Sequence, residues 1–256
     1  MAYNELKIFA GTASHDLALE ICEVLGVSLG RSETVTFKND NLFVRLNENV
    51  RETDAFVIQT SCPPVDSNFV ESLIMVDALK RASARRITMV CPYFPYSRSD
   101  KKDQPRIAIT AALVANLMQT SGVHRVLTMD LHAEQIQGFF TIPVDQLLAR
   151  PIIAGYFREK YRANGGLHNV VAMAPDAGSA RRVRQYAALL DVPLVLADKR
   201  RHDMDTEIMN IVGDVEGKDV IIFDDEIATG GSILEVSQKV LDSGARSVSA
   251  GVTHPV

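Results

Sequence analysis

The residues of this chain best suited to chemistry are two adjacent acids followed by a turn of small residues. Asp224 and Asp225 close an apolar run at 220–223, and the chain continues through Glu226, Ile227, Ala228, Thr229, Gly230, Gly231 and Ser232 into an amphipathic stretch. A strand ending here and a helix starting near Ser232 leave backbone N–H groups converging on space free of side chains. That space lies at the electropositive end of a helix, where a phosphate fits. The hydroxyls of Thr229 and Ser232 add donors. The two carboxylates stand at the carboxyl end of the strand, where open α/β sheets collect ligands. They are placed to bind sugar hydroxyls or to hold a metal ion on them. A bare TGGS would be an acidic turn with an N-capping serine; the full strand–DD–x–x–x–TGG–S–helix string points to function.

The elements that must position these residues are legible as alternation. Short apolar runs at 7–10, 55–59, 87–91, 126–129, 170–174, 194–197, 220–223 and 248–252 are rich in Val and Ile, as strands buried on both faces are. Helical periodicity fills the gaps at 16–25, 68–82, 110–118, 152–161, 180–190 and 233–241. Strand–helix alternation of this kind implies an α/β fold with mostly parallel sheets flanked by helices. The pattern pauses around 145–151, which places a domain junction there, with domains at 1–147 and 148–256 of the same architecture. The charged stretch 200–210 reads as a mobile flap.

Bulk properties exclude several classes. The chain has 256 residues, 46% hydrophobic and 23% charged, enough to bury a core in one large or two modest domains. A net charge of -5 argues against general nucleic-acid binding. No apolar run is long enough to span a membrane, and the N-terminus lacks the pattern of a signal peptide. Cys22, Cys62 and Cys91 match neither a zinc spacing nor a disulfide framework, so they read as buried free thiols in a reducing cytoplasm. No dinucleotide fingerprint follows a strand, and residues 213–219 lack the spacing of a Walker A loop. His124, His168 and His202 are isolated and read as surface residues.

The 224–232 string resembles the phosphoribosyl-diphosphate loop shared by type I phosphoribosyltransferases and the enzyme that makes their substrate. Other segments separate the two. VDSNFVESLIMVDALKRASA at 65–84, PYFPYSRSDKK at 92–102, DLHAEQIQGFF at 130–140, IPVDQL at 142–147, APDAG at 174–178, DKRR at 198–201 and NIVGDVEGK at 210–218 resemble the ribose-phosphate pyrophosphokinase family. The resemblance runs in order from about residue 7 to the last residue. It implies two tandem type I phosphoribosyltransferase-like domains. It also implies transfer of the β,γ-diphosphoryl group of ATP to ribose 5-phosphate, with Mg2+ as cofactor.

The same resemblance assigns roles. Asp224, Asp225, Ala228, Thr229, Gly230, Gly231 and Ser232 become the ribose 5-phosphate site. Lys199 and Arg201 match the catalytic flap cations; a diphosphoryl group in flight carries spread negative charge that fixed cations stabilise. In isolation KRR is a solvated basic run. His132 and Asp176 match residues of the magnesium–ATP site. Asp176 supplies the oxygen ligand magnesium prefers, whereas His132 suits a phosphate oxygen or a bound water equally well. Arg98 and Ser99 match a nucleotide-contacting pair, with Asp103 in the same polar segment. Phe37, Asn39 and Asn41 match a loop that reaches the adenine from a neighbouring subunit, so the resemblance implies a homo-oligomer, dimers assembling to a hexamer. From its residues alone, 37–41 is a plain hairpin or turn.

The chain departs from the family pattern at Asn41, usually Glu; Ser99, commonly Gln; and Ala228, often Asp. It also ends at Val256, where the family continues, which reads as an incomplete or truncated chain. Two competing readings follow: a phosphoribosyltransferase, which leaves the histidine segment and basic flap unexplained, and a non-catalytic regulatory relative, which the retained Lys199, Arg201, His132, Asp176, Asp224 and Asp225 oppose.

Overall fold

The computed structural model describes residues 5–162, 165–202 and 205–256, with the backbone alone for 199–202 and 205–209. The described residues form two compact units, one ending at Leu147 and the next beginning at Leu148.

In the first unit, β1 (Leu6–Ala10), β4 (Asp54–Ile58), β5 (Arg86–Val90), β6 (Arg125–Met129) and β7 (Val144–Leu147) form a five-stranded sheet in that order, every neighbouring pair parallel. Each strand alternates its side chains between two apolar layers, so both faces need helices. Ile8, Ile58 and Val90 pack on α1 (His15–Leu25) through Ala18 and Cys22. Phe9, Val57, Met89 and Val126 pack on the opposite side, against α2 (Val65–Arg81) and α3 (Thr110–Ser121). Two strands escaped the sequence reading: β2 (Ser32–Thr36) and β3 (Leu42–Leu46) pair antiparallel as a separate hairpin. They are short and partly exposed: β2 has a single apolar residue, Val35, and the apolar run of β3 is only three residues, Leu42 to Val44, broken by Arg45. β7 was missed for the same reason. The pause at 145–151 is occupied by that strand and by the start of α4 (Arg150–Arg162).

A polar cluster lies beneath the turn that follows β1. Glu71 of α2 is buried and accepts hydrogen bonds from Thr12 N–H (3.2 Å), Thr12 Oγ1 (2.7 Å) and Gln59 Nε2 (2.8 Å). Gln59 Oε1 accepts from Ala13 N–H at 3.2 Å. Buried polar groups survive when bonded in this way.

The second unit orders its strands β10 (Asp205–Val212), β9 (Leu194–His202), β8 (Val170–Ala174), β11 (Asp219–Ile227) and β12 (Ser247–Pro255). All neighbours are parallel except β9 and β10. One face carries α4 and α5 (Ala180–Leu190), the other α6 (Gly231–Asp242). Tyr186 stacks on Phe223 at 4.1 Å between ring centroids, and Phe157 meets Phe223 edge-on at 5.6 Å. Gly251 of β12 lies against this aromatic group, where a Cβ would come 2.8 Å from Phe157 and 2.9 Å from Phe223. The stretch 200–210, read as a mobile flap, is largely a β-hairpin arm: Lys199 pairs with Ile208 and Arg201 with Thr206.

Cys22 and Cys91 are buried free thiols, as expected, whereas Cys62 is only half-buried. Burial pushes the Cys91 thiol up to about 12, which keeps it protonated and unreactive. Among the described residues, no helix is long and apolar enough to cross a membrane.

Candidate functional site

The apolar run that marks the key strand stops at Phe223. The structure continues β11 through Ile227, because pairing with β12 persists to Ile227–Pro255 after pairing with β8 stops at Ile222–Met173. Asp224 and Asp225 therefore sit inside an extended segment, beyond the end of β8, with a neighbour on one side only. Asp225 is buried, its side chain 7% exposed, while that of Asp224 is 29% exposed. Asp224 Oδ1 accepts from Asp225 N–H at 2.9 Å. Burial, and then the adjoining Asp225 carboxyl, push the Asp224 carboxyl up to about 7, against the opposing pull of Arg182. The pair titrates as a unit.

Beyond Ile227 the loop turns at Gly230, whose φ of 77° places it in the left-handed region that glycine adopts freely. α6 begins at Gly231, one residue earlier than expected, and no side chain caps its N-terminus. Ala228, Thr229, Gly231 and Ser232 are exposed and Gly230 half-buried. The first N–H groups of the helix thus remain available to an anion.

Asp176 lies just past β8, in the turn that opens α5. Its Oδ1 accepts from Ser179 N–H at 2.8 Å, and Ser179 Oγ donates to Asp176 O at 2.9 Å. The carboxylate thus braces the turn that leads into the helix while the residue stays exposed. Lys199 and Arg201 lie on β9, and their side chains fall outside the described residues.

In the first unit, His132 is exposed just after β6, on a chain whose preceding Asp130 adopts φ 41°. Arg98 is exposed after β5. Gln135 Nε2 donates to Asp100 Oδ2 at 2.9 Å, which ties the histidine segment to the Arg98 segment at the carboxyl ends of neighbouring strands. Ser99 is already engaged at the start of α3: its Oγ donates to Thr110 Oγ1 at 3.3 Å and accepts from Thr110 N–H at 3.4 Å. Asp103 is exposed in the coil before α3.

Phe37, Asn39 and Asn41 form the tip of the β2–β3 hairpin, closed by Phe37 N–H to Asn41 O at 2.8 Å. Asn39 Oδ1 accepts from Asn41 N–H at 3.3 Å, so that amide oxygen shapes the turn. Asp40 holds φ 62°, in the left-handed region that Asp and Asn tolerate in turns. Phe37 is 51% exposed and leans on Phe43 at 6.0 Å. Among the described residues, no three His, Cys, Asp or Glu side chains gather to hold a metal ion.

One residue at the acid pair was missed. Arg182 of α5 donates from Nη1 to Asp225 Oδ1 and, at 3.2 Å, to Asp224 Oδ1. In the sequence it is one of three arginines in ARRVR, within the helical pattern at 180–190.

Parallel sheets with crossover helices, and an acid pair leading through a glycine turn into a helix, define a phosphoribosyltransferase-type α/β protein. A family model described as the N-terminal domain of ribose phosphate pyrophosphokinase matches residues 6–122, and one described as the phosphoribosyl transferase domain matches residues 143–254. A ribose-phosphate pyrophosphokinase of Caldanaerobacter subterraneus subsp. tengcongensis is 49% identical over 254 residues, covering 99% of this chain and 79% of that protein. One from Bacillus caldolyticus is 46% identical with the same coverage. The crystal structure of phosphoribosylpyrophosphate synthetase from Mycobacterium smegmatis superposes with a TM-score of 0.91 at 40% identity, covering 98% of this chain and 81% of that one. The chain belongs to the ribose-phosphate pyrophosphokinase family.

Proposed function

We propose that this chain transfers the β,γ-diphosphoryl group of ATP to the C1 hydroxyl of ribose 5-phosphate. The C1 oxygen forms a bond to the β-phosphorus, the bond from that phosphorus to the α,β-bridging oxygen breaks, and AMP departs. The hydroxyl proton passes to solvent or a nearby base. The observation that carries the reading is family kinship along 99% of the chain together with the acid pair and open helix N-terminus at 224–232.

In this reading the N–H groups from Gly230 to Ser232, with the Thr229 and Ser232 hydroxyls, take the 5-phosphate, and Ala228 leaves the loop one charge lighter than an aspartate would. Asp224 and Asp225 accept the ribose hydroxyls. Lys199 and Arg201 stabilise charge on the transferring group. Arg98 pairs with a phosphate or stacks on the base, and His132 bonds a phosphate oxygen or a bound water. Phe37 stacks on adenine, with Asn39 and Asn41 at its edge. Because the Ser99 O–H is already donated to Thr110 Oγ1 and its backbone N–H to Tyr96 O, Ser99 can meet nucleotide only as an acceptor, while Asn39, whose oxygen is bonded internally, keeps its side-chain amide donors. The Asp103 carboxylate serves the same polar segment.

Mg2+ suits a site of one or two carboxylates completed by water and phosphate oxygens; the exposed Asp176 would supply such a carboxylate in the second unit, and the exposed His132 is the metal-site residue proposed in the first. When bound, the ion supplies charge neutralisation on the phosphates. Use of the hairpin tip by a neighbouring subunit makes the protein a homo-oligomer, and its free thiols suit the cytoplasm. The test is AMP formation from ATP, Mg2+ and ribose 5-phosphate. No AMP would sink the proposal, and diphosphate release from phosphoribosyl diphosphate plus a nucleobase would favour a phosphoribosyltransferase instead.

A further inference from the structure

Among the described residues, four arginines contact aspartates on or beside β-strand ends, Arg125 on Asp145 among them, and one of the four does so differently. Arg86 forks onto Asp54 through Nε (2.9 Å) and Nη2, and Arg246 forks onto Asp219 through Nε (2.8 Å) and Nη2. Each of those is one guanidinium on one carboxylate. Asp54 and Asp219 are the first residues of their strands, and the arginines are more than half exposed. These pairs tie strand starts together. Arg182 is placed at the other end of β11, and a single nitrogen, Nη1, reaches an oxygen of each of two neighbouring carboxylates.

Two features argue that this bridge serves more than folding. Arg182 is the third residue of α5, where the helix dipole disfavours a cation, so its position costs helix stability. The carboxylates it joins repel one another, and a structural ion pair would need only one of them. The bridge leaves Asp225 buried and Asp224 partly open, in the segment that leads into the largely exposed 228–232 loop. It also fixes the rotamers of both acids through Oδ1, which presents a set pair of acceptors rather than two independently rotating groups.

We infer that Arg182 is a positioning residue that holds Asp224 and Asp225 as a fixed acceptor pair for the vicinal hydroxyls of ribose 5-phosphate. The inference rests on the reading of 224–232 as the ribose 5-phosphate site. It separates the two substrates: loss of Arg182 weakens the sugar phosphate and leaves ATP untouched, because the acids hold ribose hydroxyls and take no part in nucleotide binding.

The experiment is steady-state kinetics of Arg182→Gln and Arg182→Lys in the full chain, with direct calorimetric titration of ribose 5-phosphate. Gln keeps part of the length and loses the charge; Lys keeps the charge as a point that serves one carboxylate at a time. Arg182→Gln is expected to raise KM for ribose 5-phosphate about 10- to 100-fold, with kcat changed less than about threefold and KM for ATP unchanged. Arg182→Lys is expected to fall between it and the parent, which keeps the test open if the Gln variant does not fold. Unchanged KM for ribose 5-phosphate in both variants, equal rises in both KM values, or a fall in kcat alone would overturn the inference. A parent protein that forms no AMP would instead remove the functional reading beneath it.

Discussion

The acid pair makes a stability prediction that runs opposite to its role in binding. In the folded protein Asp224 is pushed from 3.8 up to about 7, chiefly by burial and then by Asp225. A carboxyl raised on folding is held protonated more tightly by the folded chain. Its favourable contribution is complete below pH 3.8 and is lost as pH rises through about 7. A rise of about three pH units corresponds to at most about 4 kcal/mol. Because that shift is shared across a coupled pair, about half of it, or about 2 kcal/mol, is expected to be recovered by removing one charge. Asp224→Asn keeps the volume and removes the charge. It should therefore stabilise the protein by about 2 kcal/mol at pH 8, a rise of roughly 4–8 °C in Tm, by about a quarter of that at pH 4.5, and by almost nothing below about pH 3. Thermal denaturation of both proteins at half-unit steps from pH 4.5 to 8 measures the difference directly. Parallel Tm curves across that range, or a larger gain at the acid end, would refute the assignment of burial and pairing as the cause. Turnover of the variant with ribose 5-phosphate should fall while its Tm rises.

Lys199→Ala should reduce kcat by about 100-fold or more while calorimetric affinity for ribose 5-phosphate holds, because a transition-state cation acts after binding. Gly230→Ala places a side chain at φ 77°, and although its nearest neighbour would be 4.0 Å away, the backbone strain of about 1 kcal/mol should raise KM for ribose 5-phosphate several-fold. Gly251→Ala should lower the Tm without changing either KM, since its Cβ meets Phe157 and Phe223 below 3.0 Å, an overpacking cost of about 1–3 kcal/mol.

The sheets were legible because their strands are buried on both faces and carry unbroken Val and Ile runs. β8 and the first half of β11 are wholly buried, and their bounds were read almost without error. Short strands with polar residues were not legible: β2 has one apolar residue and β3 an apolar run of three, and β10 was hidden in charge. At the site, the acids and glycines were visible because their types are unusual in tandem. The continuation of β11 past Phe223 was not, since polar residues at 224–226 look like a strand end until β12 is seen to pair with them. Arg182 was invisible for a related reason: its partners lie more than 40 residues away, and nothing local separates it from Arg181 and Arg184.

The clasp on Glu71 has a consequence for the turn after β1. Thr12 and Ala13 lie at the surface, and their neighbours Gly11 and Ser14 are buried. Turn amides in contact with water ordinarily trade hydrogen for deuterium within moments of dilution. Here the Thr12 amide points inward to a carboxylate 59 residues further along the chain, and Ala13 points to Gln59. Their exchange then requires α2 and β4 to part from the turn, an opening of the unit's interior. A surface turn thereby acquires the isotope clock of the core, and its two amides report on the integrity of the whole first sheet.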